Sequence, residues 1–152
     1  MIESLNELEE SAKEEIKRAD HLIFVTLKYT RTADVIKNTI KRLISAYDFS
    51  ILEFLEFLKK KKKLKNIPSL PKLRAEALRD TLPELKEDME FYALLKRIDI
   101  AEYKKKDEYR KNVALIAEER PGVKLEVNME LLREYFNRTI KFVSFVEGTV
   151  RS

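Results

Sequence analysis

The chain has 152 residues, a formal net charge of +4, one histidine, and neither cysteine nor tryptophan. This length suits one hydrophobic core, so we expect residues 1–152 to form a single domain. The inventory excludes a zinc site built from several His or Cys ligands, and the lack of a glycine-rich phosphate loop excludes nucleotide binding by that route.

Composition predicts a helical, soluble protein. With only two glycines, the chain has few residues that adopt positive φ cheaply, which favours long helices over tight turns. No apolar run approaches the roughly 18 residues that span a bilayer, so we expect a cytoplasmic protein with no membrane partner. Absent cysteine agrees with a reducing compartment, and the abundance of Lys, Glu and Arg is typical of a thermophile.

The first half of the chain reads as two long helices. Ser4 and Glu7 form a capping box that opens a helix ending near Tyr29 to Arg31. Thr32 can cap the next helix. A second box at Ser50 leaves two alternatives for residues 32–65, one continuous helix to about Leu64 or two helices that break at Asp48, and the pattern favours the continuous helix.

The next segment predicts an extended connection and two more helices. Two prolines within residues 66–71 end the long helix. A short helix over 72–79 follows, and Thr81 to Glu84 supplies a third capping box. The helix that it opens should fade among Lys104 to Lys106.

The pattern changes to a spacing of two after Asn112. Residues 113–117 and 123–127 should pair as an antiparallel hairpin around the Pro121-Gly122 turn. Asn128 then caps a last helix that Gly148 should stop. The expected fold is mainly α, a bundle of about five helices with one small hairpin near 113–127. The predicted core consists of Ile16, Ile23, Leu27, Ile40, Leu43, Leu95, Ile98, Leu132 and Val143.

Two polar clusters are candidate ligand-binding sites. The first interrupts the helical pattern and contains Tyr29, Arg31 and Asp34; the second precedes the hairpin and contains Tyr109 and Arg110. Local capping and pairing would explain the first cluster structurally. If the fold brings Arg31 and Arg110 together, their guanidinium groups would form an anion pocket.

A lysine run marks the predicted end of the second helix. It complements the helix dipole there, which favours a solvated helix end over a contact with nucleic acid or an acidic partner. The residues of the run are Lys59, Lys60, Lys61, Lys62, Lys63 and Lys65.

Catalytic patterns fit the sequence poorly. The single histidine, His21, is not preceded by the glutamate of a di-iron motif, because the residue three positions earlier is Arg18. No catalytic residue, metal or cofactor is therefore assigned, and isolated carboxylates such as Asp48 and Glu53 are expected to be solvated rather than bound to magnesium. An enzyme that uses Tyr29, Arg31, Asp34 and Arg110 remains the alternative to a binding protein.

The chain resembles the HEPN class of small helical bundles in its long helices with the ending Tyr29-Thr30-Arg31, in the segment 107–112 and in the closing amphipathic helix. Ribonucleases of that class carry an arginine followed four to six residues later by a histidine. Arg110 begins like such a motif here, yet no histidine follows it. The resemblance therefore implies a noncatalytic relative that acts as a partner subunit or binding module.

The last helix is apolar on more than one face. A second apolar face needs a cover, and a symmetry-related copy is the simplest one, so the sequence predicts a homodimer anchored by Phe142 and Phe145. The function expected from the whole sequence is a noncatalytic interaction or binding protein with a possible protein partner. The alternative is a protein that binds or processes nucleic acid through a Tyr/Arg/Asp pocket.

Overall fold

A computed structural model describes residues 4–152 and shows the expected mainly α fold. Within these residues, the fold contains five helices and one small antiparallel sheet of three strands. The helices are α1 (Leu5–His21, continued by a π-helical turn Leu22–Thr26 and Leu27–Tyr29), α2 (Ala33–Lys60), α3 (Pro71–Thr81), α4 (Lys86–Ile100) and α5 (Met129–Arg151). The strands are β1 (Tyr103–Lys106), β2 (Ala114–Arg120) and β3 (Val123–Asn128).

Three predicted helix starts are confirmed by their caps. The Ser4 hydroxyl accepts a hydrogen bond from the Glu7 amide at 3.1 Å, and the Thr32 hydroxyl accepts from the Val35 amide at 3.3 Å. At the start of α5, the Asn128 side chain accepts from the Leu131 amide at 2.8 Å. Each cap satisfies a backbone donor that the first turn of a helix leaves free.

Several predicted boundaries are wrong. The helix over 32–65 is continuous but ends at Lys60, and Ser50 lies buried in its interior rather than at a start. Thr81 does not cap α4, because it is the last residue of α3 and its hydroxyl donates to the Ala77 carbonyl at 2.8 Å. Pro83 instead starts a 3-10 turn over Pro83–Leu85 that leads into α4. Gly148 lies within α5, which continues to Arg151.

The hairpin is confirmed, and it belongs to a larger sheet. β2 and β3 pair antiparallel with Leu115 opposite Val127, across a turn in which Gly122 has a φ of 77°. The prediction that a helix fades at Lys104 to Lys106 is wrong, because these residues form the edge strand β1, with Lys104 opposite Ile116. The charged side chains of β1 suit a sheet edge, where lysines discourage pairing with other chains.

The core follows α2, which packs against α1, α4 and α5. The predicted core residues are buried, apart from Ile16, which is half-buried at the rim. Tyr47 lies at the centre and stacks on Phe142 with ring centroids 4.8 Å apart. In the π-helical turn, Ile23 keeps its place in this core while Phe24 and Val25 remain exposed.

Candidate anion-binding site

The connection between α1 and α2 is bound to the segment that follows β1. The Tyr109 amide donates to the Arg31 carbonyl at 2.6 Å, and the Glu108 carboxylate accepts from the Ala33 amide at 2.8 Å. The second contact occupies a free amide at the start of α2, where a negative charge is favoured by the helix dipole. The fold therefore brings together the two polar clusters that the sequence places far apart.

Asp34 has a structural partner in this arrangement. Its carboxylate accepts from the hydroxyl of Tyr103 and, at 3.1 Å, from the ammonium group of Lys105. These hydrogen bonds, first that of Tyr103 and then that of Lys105, lower the pKa of Asp34 below its usual value. Asp34 thus joins α2 to β1 as an ionised carboxylate, which makes it a weak general base near neutral pH.

Both candidate tyrosines point outward. Tyr29 is 81% exposed and Tyr109 is 75% exposed. Tyr109 also has a φ of 67°, a strained value for a bulky residue. The hydrogen bond from its amide to Arg31 helps to hold this conformation, so the ring is presented to solvent by a constrained backbone.

A concavity lies beside the α1–α2 connection. Of the five predicted ligand-binding residues, only Arg31 lines it. The concavity has a volume of about 430 Å³ and lies between the α1–α2 connection, the segment before β2 and the first turns of α5. Arg110 is exposed beside it rather than within its lining. The lining residues are Arg31, Lys111, Asn112, Asn128, Met129, Glu130 and Arg133.

The electrostatics of this concavity favour an anion. Three cationic side chains and one carboxylate, that of Glu130, line it. The Nε atom of Arg31 is buried and has no hydrogen-bond partner within residues 4–152. Arg133 lies over the ring of Phe24, with its guanidinium carbon 5.9 Å from the centroid. The positive end of the α5 dipole adds to the same field.

Sequence reasoning missed Lys111 and Arg133. Lys111 follows Arg110 directly, so the basic character of that segment was a usable signal. Arg133 lies five residues after the cap Asn128, on the exposed face of α5. Its role depends on the docking of distant segments, for which the local pattern holds no signal.

The lysine run lies at the other end of α2. Lys59 and Lys60 form the last turn of the helix, and Lys62 has a φ of 60° just beyond it. Lys61 lies over the ring of Phe57 at 5.6 Å. A helix of 28 residues places this end about 40 Å from the Arg31 connection. The two basic regions therefore cannot contact the same phosphate group.

The interface prediction needs one correction. Phe142 is only 2% exposed and stacks on Tyr47, so it belongs to the core and is not accessible to a second copy. Phe145 is 47% exposed, with its ring 6.1 Å from that of Phe54. A dimer through α5 stays a prediction, and Phe145 is the residue of the pair that a partner could contact.

Other titratable groups lie outside the lining of the concavity beside Arg31. His21 lies 3.5 Å from the Thr26 hydroxyl through its Nδ1 atom. Asp48 accepts from the Tyr92 hydroxyl, and burial raises the pKa of its carboxyl. Across residues 4–152, no three His, Asp or Glu side chains come close enough together to hold a metal ion.

Comparison of the chain with protein-family models, curated proteins and solved structures gives no match. The resemblance to the HEPN class therefore stays a prediction. None of the helices in residues 4–152 combines the length and the apolar character needed to cross a membrane.

Proposed function

We propose that this chain is a noncatalytic binding protein that takes the phosphates of a single-stranded nucleic acid at the concavity lined by Arg31, Lys111 and Arg133. The observation that carries this proposal is Arg31, whose buried Nε has no partner among the described residues and which lines a concavity together with two further cations. A buried donor without a partner costs about 1 to 3 kcal/mol. An oxyanion that accepts from it would recover that free energy.

Planar cations suit a phosphate ligand. Arg31 and Arg133 present forked donors that match two oxygens of one phosphate, while Lys111 adds a point charge. Glu130 opposes an anion in part, so the three cations are partly offset within the concavity. A nucleic-acid backbone that continues past Glu130 toward Arg110 would place its next phosphates beside the exposed guanidinium group of Arg110.

Exposed aromatic rings favour a single-stranded nucleic acid over a free phosphate. Tyr29 lies close to Arg31 in sequence, and the Tyr109 amide donates a hydrogen bond to the Arg31 carbonyl. The rings of both tyrosines are exposed to solvent. Phe24 lies beneath Arg133. Bases stack on such rings with about 1 to 3 kcal/mol per base, largely independent of sequence.

A binding role agrees with the environment of Asp34. Its two hydrogen bonds engage it with Tyr103 and Lys105 and lower its pKa, and it is not among the residues that line the concavity. An enzyme would need a proton acceptor near the phosphate, with a pKa close to neutral. The HEPN resemblance implies the same noncatalytic version, because no histidine follows Arg110.

The proposal is tested by fluorescence anisotropy with a labelled single-stranded RNA of about 12 nucleotides, within the site size of small single-strand binders. Replacing Lys111 and Arg133 together by alanine should weaken binding about 10- to 100-fold, because two phosphate contacts are lost. The slope of log affinity against log salt should also fall by about 1.4.

The matched control replaces Lys62 and Lys63 by alanine, which removes the same charge from the lysine end of α2. Binding should then change less than threefold, roughly the effect of a weakened general field. Equal losses in both double variants would show that net charge alone attracts the RNA. Absence of binding to the unmodified chain at low salt would reject the proposal.

A further inference from the structure

A second concavity lies between α3 and α4, away from the anion-binding site. Its volume is about 430 Å³, and its floor contains Ala75, Met89, Tyr92 and Ala93. Ile100 closes one end and is 83% exposed, the most exposed of the large apolar side chains in residues 4–152. We name this concavity the α3–α4 groove.

The floor of the groove is fixed in place. Tyr92 and Met89 are almost fully buried, and the Tyr92 hydroxyl donates to Asp48 on α2. Little of its ring is exposed and its polar end is already satisfied, so Tyr92 leaves no unpaired polar group in the floor. The small side chains of Ala75 and Ala93 keep the space between the two helices open.

The rim of the groove is basic. Lys72 and Arg79 lie on α3, Lys96 and Arg97 lie on α4, and Glu76 is the single carboxylate in the lining. Arg97 is already paired with Glu119 at 2.8 Å, and Arg79 with its neighbour Asp80 at 3.5 Å.

The two lysines of the rim are the groups left for a partner. Lys96 lies over the ring of Tyr92 at 5.2 Å. Within the part of the chain that the structure describes, neither Lys72 nor Lys96 forms an ion pair. The cations thus stand on both sides of an apolar floor.

We infer that the α3–α4 groove binds an acidic amphipathic helix of a partner protein. A groove between two helices accepts the apolar ridge of a third, and apolar side chains at positions i, i+3 or i+4, and i+7 would reach the floor. The lining residues of α3 and α4 extend over about 10 to 16 Å, which corresponds to two or three helical turns. Carboxylates on the flanks of that helix would meet Lys72 and Lys96.

This inference shares no residue with the anion-binding site, so each can fail alone. A nucleic acid fits the groove poorly, because its floor is mainly aliphatic and its one aromatic ring is buried. Single-stranded nucleic acids gain their stacking energy from exposed rings.

The test is a display selection of randomised peptides of about 18 residues, enough for several helical turns, on the folded full chain. Peptides that also bind a Lys72→Glu, Ile100→Asp variant are removed. Both positions are exposed, so this variant keeps the core intact. The selected peptides should be rich in Asp and Glu and should carry apolar residues at helical spacing.

One selected peptide is then titrated against three forms of the chain. Its affinity for the groove variant should fall at least about tenfold, since an apolar anchor is lost and a favourable charge is reversed. A control with Lys141→Glu and Val123→Asp makes matched changes at exposed positions outside the groove and should bind like the unmodified chain.

Three outcomes would overturn the inference. The selected peptides could be basic or neutral, or no peptide could survive the removal step. Light scattering could also show self-association that Ile100→Asp abolishes, which would make a second copy of the chain the occupant of the groove.

Discussion

The two ends of α2 carry positive charge in different ways. At its start, Arg31 belongs to a connection held by the Thr32 cap, by the Glu108 carboxylate that accepts from the Ala33 amide, and by the Tyr109 amide that donates to the Arg31 carbonyl. At its end, the lysines of residues 59–65 are exposed in the last turn and just beyond it. Charge is present at both ends, but only the start combines it with a concavity and a buried donor. A candidate site is therefore distinguished from a merely charged surface by cations held in position, rather than by a large number of cations.

Two carboxyl groups of α2 have pKa values shifted in opposite directions. Asp34 near the start has a lowered pKa because Tyr103 and Lys105 hydrogen-bond to it. Glu53 in the second half is buried, and its pKa is raised to about 7. Burial is the main cause, and the carboxylates of Glu9 on α1 and Glu147 on α5 act in the same direction, while Lys13 and Arg151 oppose them.

The largest expected effect comes from the apolar part of α2 between its two ends. Ile40 and Leu43 are fully buried, so truncation of either to alanine should lower the free energy of unfolding by about 2 to 5 kcal/mol. Lys60→Ala at the lysine end should change it by less than about 0.5 kcal/mol. Urea denaturation measures both. Similar values for the two variants would contradict the central position of α2 in the core.

The next largest effect concerns Glu53 and pH. Because its pKa is raised in the folded state, the folded chain holds this proton more tightly than the unfolded chain does. The stabilising contribution of the protonated Glu53 is therefore fully present below its unfolded pKa, and it is lost as pH rises through the folded value of about 7. Glu53→Gln should stabilise the protein by about 1 to 3 kcal/mol at pH 8 relative to pH 5.

The control for this pH dependence is Asp34→Asn at the other end of the helix. The lowered pKa of Asp34 contributes stability above its unfolded pKa, and that contribution is lost as pH falls through the folded value. Replacing Asp34 should thus lower stability near neutral pH, reduce the acid sensitivity of unfolding, and leave the slope of stability against pH near 7 unchanged. A Glu53→Gln variant whose stability follows the unmodified chain from pH 5 to 8 would disprove the assignment to Glu53.

A smaller effect is expected at the Thr32 cap. Thr32→Ala removes the hydroxyl that accepts from the Val35 amide, and should cost about 1 kcal/mol. Thr32→Ser retains the acceptor and should restore most of this loss. If the two substitutions destabilise equally in thermal denaturation, the methyl group rather than the cap is responsible.

The smallest effect on stability is expected at Phe145. The predicted dimer through α5 would place this half-exposed ring in the interface, so Phe145→Glu should convert a dimer to a monomer in light scattering with little change in monomer folding. Phe142→Glu should instead unfold the chain, because it inserts a charge beside Tyr47 in the core. A chain that is monomeric at high micromolar concentration would contradict the dimer.

Local signals explain which parts of the fold were predictable. The caps Ser4, Thr32 and Asn128 act within three residues, so the sequence pattern contains the full interaction. The box at Thr81 failed because α3 continues to Thr81, whose hydroxyl donates back to the Ala77 carbonyl, and because Pro83 starts a 3-10 turn instead. Strand β1 was missed because three consecutive lysines give no apolar alternation, and only its pairing with β2 defines it.

The candidate site was predictable only in part. The polar clusters around Arg31 and Tyr109 were visible as interruptions of the apolar pattern. Their meeting depends on Glu108 reaching the Ala33 amide across 75 positions in sequence. Lys111 and Arg133 gain their role from the same long-range docking; the basic segment at Arg110 was a local signal for Lys111, whereas no local pattern indicates Arg133.

The most direct test of the central claim is an NMR titration of the chain with a single-stranded RNA of about 12 nucleotides, a length within the usual site size. The account predicts that the Nε–H signal of Arg31 and the backbone amides of Lys111 and Arg133 shift together and saturate. Amides across Lys59 to Lys65 should move little. Shifts confined to the lysine end, with Arg31 Nε–H unchanged at saturation, would contradict the claim that positioned cations form the site.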